Sequence, residues 1–174
     1  MSSIREAINA VNGLESDGVI ERYAIGGAVG ATFYIEPVAT MDVDVFVVFR
    51  PEPGQVLLSL KPLFDHLTTR GCRVEGEHVI IAGWPVQFLP PTGPLAEEAL
   101  AEAVTFDVEG VTARVCTAEH LGAIALQTGR AKDKARLLQF IEAGVLDGGR
   151  LQAILARHGL VGRWHRFVKQ FSPG

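Results

Sequence analysis

Two cysteines, two methionines, two tryptophans and two tyrosines are all that 174 residues contain of those types. Cys72 and Cys116 have no cysteine neighbour at zinc-ligand spacing, and a chain that is 48% hydrophobic does not need a disulfide to hold it together, so two buried thiols are expected. No run approaches the ~20 apolar residues that a membrane helix requires, and MSSIREAINAV is amphipathic rather than a charged segment leading into an apolar block. Both features point to a cytoplasmic protein with no membrane partner. A phosphate-binding G-x-x-x-x-G-K-[ST] loop is absent. The five histidines are scattered without helix-face ligand spacing, and no Ser/His/Asp or Cys/His set is legible.

Basic residues are scarce in the first three quarters. Residues 1–129 hold 7 Lys and Arg against 17 Asp and Glu, whereas residues 130–174 hold 9 against 3. An anionic ligand would avoid the first part and approach the second unless a divalent cation bridges carboxylate and phosphate. A metal-nucleotide enzyme suits this pattern; so does a helical tail with solvated basic faces.

The hydrophobic pattern predicts an amphipathic helix over residues 3–12 behind Ser2 or Ser3, then a strand at Tyr23-Ala24-Ile25 running into Gly26-Gly27, then a helix from Ala28 to Tyr34. Val43 to Phe49 is β-branched and aromatic, and reads as a central strand. Leu57, Leu60, Phe64 and Leu67 mark a helix. Three short strands follow at 72–75, 78–82 and 85–89, the last pair turning at Gly83-Trp84. A short helix near 95–102 precedes a hairpin turning at Glu109-Gly110, and helices alone follow Thr117. The expected fold is therefore α/β (α+β): a body over residues 1–116 and a C-terminal helical segment, 117–174, packed on it as one compact unit.

The chemistry concentrates in Y23-A-I-G-G-A-V-G-A-T-F-Y-I-E-P-V-A-T-M-D-V-D-V-F-V-V-F49. Asp42 and Asp44 alternate with valines, so the period of two aims both carboxylates from one face. Two such charges call for a cation, and a Mg²⁺ ion bound by carboxylates and substrate phosphates meets that need. The glycine pair lets backbone N–H groups approach an anion at a helix start. A dinucleotide-binding domain fits less well, because G26-G-A-V-G30 lacks the G-x-G-x-x-G order and the acids precede their strand instead of ending it.

A Gly-Gly turn opening a helix, followed by a strand bearing Asp-x-Asp, resembles the nucleotidyltransferase superfamily, in particular the abortive-infection (AbiEii-type) toxin branch and related minimal nucleotidyltransferases. The segment V115-C-T-A-E-H-L-G-A-I-A-L-Q-T-G-R-A-K-D-K-A-R136 looks like that branch too. The resemblance implies a mixed β-sheet flanked by helices and transfer of a nucleoside monophosphate from a nucleoside triphosphate with Mg²⁺ or Mn²⁺. The acceptor could be an RNA end, a protein or a small hydroxylated molecule. By it, Gly26 and Gly27 would cradle phosphate and Asp42 and Asp44 would bind metal. Arg130 and Lys132 would contact phosphates, Asp133 holding one of them in place. Complete members carry a third carboxylate on a later strand, where this chain has Gln87, a neutral metal contact that cannot serve as a base. Glu75, Glu77 and Asp107 stand as substitutes by position. A degenerate, non-catalytic nucleotide-binding or protein-interaction module is the alternative that Gln87 leaves open.

Overall fold

A computed structural model describes residues 4–36, 42–49 and 59–171. Helix α1 (Ile4–Ser16) carries Ala7, Ile8, Val11 and Leu14 on one buried stripe, the i, i+3, i+4, i+7 spacing that drives an amphipathic helix onto a sheet. The expected serine cap lies outside the described residues, as does Leu57. The chain then forms β1 (Arg22–Gly26), α2 (Gly27–Ala31) and β2 (Val43–Val48). Helix α2 is shorter than the sequence suggests. After Ala31 the backbone tightens into three-residue turns, with Phe33 N donating to Gly30 O at 3.2 Å and Tyr34 N to Ala31 O at 2.9 Å.

Next come α3 (Lys61–Thr69), β3 (Arg73–Glu75), β4 (His78–Ile81), β5 (Trp84–Leu89), α4 (Pro94–Ala101), β6 (Val104–Val108) and β7 (Val111–Val115). The β4–β5 turn sits one residue earlier than expected. Ala82 and Gly83 take positive φ, 51° and 84°, as a two-residue hairpin loop requires, which frees Trp84 to pair with Ile81. Glu109 and Gly110 make the same kind of turn between β6 and β7, as the sequence suggests. Four helices follow: α5 (Ala118–Thr128), α6 (Ala131–Ala143), α7 (Gly148–Arg157) and α8 (Val161–Phe171). Thr117 caps α5, its hydroxyl accepting from His120 N at 3.1 Å, and Gly129 and Gly144 end α5 and α6 in the left-handed conformation.

Among the described residues seven strands form one mixed sheet in the order β3-β4-β5-β2-β1-β7-β6. Strand β2 is at its centre, antiparallel to β1 and parallel to β5, which accounts for its unbroken apolar inward face of Val43, Val45 and Val47. Leu14 of α1 and Leu63 and Leu67 of α3 join those valines in one core on that face. On the other face Ala24 and Ala31 pack with Ala99 and Leu100 of α4, Leu121 of α5 and Phe140 of α6. A separate apolar cluster fixes α7 and α8 to α5 through Leu151, Leu155 and Phe167. Among the described residues no helix is long and apolar enough to cross a membrane. Cys116 is buried, which pushes its thiol up to about 12, while Cys72 is only half-buried; neither is in a disulfide.

Candidate active site

Strand β2 alternates between the two cores, so the valines that face α1 leave Asp44 on the opposite side, at the level where β1 ends and α2 begins. Gly26 is the cross-strand partner of Asp44. Gly27 stands directly against the carboxylate: with φ at +59° it occupies a conformation that L side chains avoid, and an added Cβ would fall on Asp44 Oδ2. A Cβ at Gly26 would lie 2.6 Å from the Phe46 ring. The glycine pair therefore lets backbone and carboxylate share one small space.

A cleft of about 240 Å³ opens there, with Gly27, Asp44 and Phe46 on the sheet side and Thr128, Arg130 and Arg136 on the helical side. Asp133 also lines it, buried at 2% exposure. Its carboxylate accepts from Arg130 N at 3.2 Å and Arg130 Nε at 2.7 Å, and lies 3.8 Å from Arg136 Nη1. One buried acid thus caps α6 and orients two guanidinium groups over the cleft. That hydrogen bond raises the Arg130 pKa first of all, whereas burial is the main reason the Arg136 pKa is lowered.

The Asp44 carboxyl is held above the ordinary carboxylate range, first by burial and second by the charge of Asp42, with Arg136, Lys132 and His78 opposing. An acid in that position gains from a neighbouring cation. Asp42 itself is exposed at the lip of β2.

Of the residues the sequence singles out, Gly27, Asp44, Arg130 and Asp133 meet on this cleft, with Gly26 and Asp42 beside it. Lys132 is exposed and contributes through its charge, not as a lining side chain. Gln87 is in register with Asp44 on β5, and its amide donates to Glu77 Oε2 at 3.2 Å. Glu75 is paired with Arg73 at 2.6 Å, and Asp107 caps the β6–β7 turn at the far edge of the sheet, three strands from β2. Two residues escaped the sequence reading. Arg136 shares the helical face of Asp133 at i+3, a spacing that could have found it; His78, whose Nε2 lies 3.5 Å from Asp42 Oδ2, is brought there by strand pairing alone.

A second polar cluster lies at the α4–α5 junction. Glu98, Glu102 and His120 bring three potential ligand atoms within 4.8 Å of one another, beside an opening of about 260 Å³ that shares no lining residue with the Asp44 cleft. His120 Nε2 is 2.9 Å from Glu98 Oε2 and 3.6 Å from Glu102 Oε2. Arg157 Nε donates to Glu98 Oε1 at 2.8 Å, which ties α7 to α4.

The chain has the nucleotidyltransferase fold. Among solved structures it is similar to the antibiotic-resistance factor ANT(2'')-Ia in solution, with 15% identity, 95% of this chain and 99% of that one covered, and a TM-score of 0.53. It is also similar to an antigenic nucleotidyltransferase-like protein from Paracoccidioides brasiliensis, with 14% identity, 95% and 92% covered, and a TM-score of 0.59. A crystal structure of ANT(2'')-Ia in complex with adenylyl-2''-tobramycin matches at 14% identity, 92% and 98% covered, and a TM-score of 0.56. No family model and no curated protein matches the sequence.

Proposed function

We propose that this protein transfers a nucleoside monophosphate from a nucleoside triphosphate to a hydroxyl-bearing acceptor in the cleft at Asp44. The observation that carries the reading is the opposition of charges across that cleft: a half-buried carboxylate backed by a second acid on the sheet side, and two arginines paired with Asp133 on the helical side. A triphosphate fits between such walls only with a cation against the carboxylates. Mg²⁺ or Mn²⁺ held by Asp42 and Asp44 would neutralise charge and fix the α-phosphate for attack.

Arg130 and Arg136 stabilise the phosphates, in which charge builds toward the leaving pyrophosphate, and Gly27 leaves room for close backbone approach. The acceptor oxygen bonds to the α-phosphorus as the bond to the β-phosphate bridge breaks. Pyrophosphate and the hydroxyl proton depart, and one nucleotide remains on the acceptor. Positioning supplies much of the rate, since both reactants are held in line.

One of the similar structures holds adenylyl-2''-tobramycin, which supports a nucleotidyl-transfer reading here; the acceptor of this chain is an RNA end, a protein or a small molecule. Incubation of the chain with each α-labelled triphosphate, Mg²⁺ and fractionated lysate tests the proposal. Label should appear in one acceptor fraction with wild type and be absent with Asp44→Asn; no transfer from any triphosphate would contradict it.

A further inference from the structure

The face of the sheet that carries Asp44 continues across β5 and β4, and its next residues are unusual. Gln87 stands in register with Asp44, and the pairing of Val79 with Val86 sets His78 opposite Gln87. Val79, Ile81, Val86 and Phe88 are buried in the core on the other face, so Asp44, Gln87 and His78 form one polar row. Gln87 turns its amide nitrogen to Glu77. His78 does not follow it: its Nε2 is screened from solvent, makes no hydrogen bond among the described residues, and lies 3.5 Å from Asp42 Oδ2. Two donors about 2.1 Å from one ion are separated by roughly 3.0–3.4 Å, so the imidazole nitrogen and the Asp42 oxygen need only a small adjustment to bind the same cation, while the Asp44 carboxylate must swing further to join them.

We infer that His78 is a protein ligand to the ion held by Asp42 and Asp44, standing in for a third carboxylate and shifting the site toward metals that accept nitrogen. The inference rests on the reading of Asp42 and Asp44 as metal carriers. An imidazole suits Co²⁺ and Zn²⁺ far better than Mg²⁺, which prefers oxygen and keeps its waters. A neutral nitrogen also adds no negative charge beside two acids, the penalty that a third carboxylate would bring to an already disfavoured Asp44 anion.

Calorimetric titration of the full chain with Co²⁺ and with Mg²⁺ tests this, using wild type, His78→Gln, and the double variant Asp42→Asn/Asp44→Asn. His78→Gln should weaken Co²⁺ at least tenfold, the scale seen for disturbed metal ligands, and Mg²⁺ less than about threefold. Co²⁺ affinity unchanged in His78→Gln, or Co²⁺ and Mg²⁺ weakened equally, would overturn the inference. The double variant should lose the same Co²⁺ site. If it retains that site while His78→Gln loses it, the ion lies elsewhere and the reading of the aspartates fails instead. Pulsed electron paramagnetic resonance on Mn²⁺-loaded protein gives an independent readout: an imidazole nitrogen coupling in wild type that His78→Gln removes supports ligation, and its persistence in the variant contradicts it.

Discussion

Gln87 lies beside Asp44 on the parallel neighbouring strand, residue for residue in register. A carboxylate at 87 would therefore point from the same face at the same place. Gln87→Asp should lower the melting temperature without metal, because a third negative charge joins a pair already disfavoured by burial and mutual repulsion, and should restore it when Mg²⁺ is added. Melting curves with and without Mg²⁺ check this. Identical metal responses in variant and wild type would show that position 87 does not face the ion.

Gly27 is under two constraints, positive φ and the adjacent Asp44 carboxylate. Gly27→Ala should cost about 1–2 kcal/mol from backbone conformation alone, which in a chain of this size lowers the melting temperature by roughly 2–8 °C. It should also displace Asp44 and weaken metal-dependent triphosphate binding, which calorimetry would read.

The strand bearing Asp42 and Asp44 was legible because alternation with valine is a local signal, and so was the glycine turn, where sequence adjacency sets the geometry. The α/β body and helical tail followed from the change of hydrophobic period near residue 117. His78 was not legible. Its place beside Asp42 depends on the pairing of β4 with β5 and of β5 with β2, joining residues 36 apart in sequence, and no local pattern encodes that register. Arg136 was less legible than Asp133 although three residues along one helix bring it to the same cleft, and Lys132 acts on Asp44 through its charge without lining that cleft.

Asp133 is nearly inaccessible and holds Arg130 by both side chain and backbone. Asp133→Asn removes the charge that fixes two arginines and weakens the α6 cap. A loss of about 1–2 kcal/mol is expected. Triphosphate binding should weaken with it, whereas thermal stability falling while binding stays intact would assign Asp133 to the fold alone.

Glu98 is held down to about 2, first by its hydrogen bond to Arg157 and then by His120 and His158, with burial opposing. A lowered carboxyl contributes stability that is present above its unfolded value and lost as pH falls through the folded one. Wild type should therefore lose stability between about pH 4.5 and 2. Glu98→Gln should be less stable than wild type at pH 7 and should converge with it toward pH 2, as acid titrations followed by circular dichroism would reveal.

The cleft between Asp44 and the arginines is proposed to take a triphosphate through a divalent ion. Calorimetric titration with a non-hydrolysable nucleoside triphosphate, in excess Mg²⁺ and in excess chelator, tests it most directly on wild type and on Asp42→Asn/Asp44→Asn. Wild type should bind only with Mg²⁺, and the double variant should stay folded and lose that metal-dependent binding. Equal affinity with Mg²⁺ and with chelator, or undiminished Mg²⁺-dependent binding in the double variant, would contradict the account.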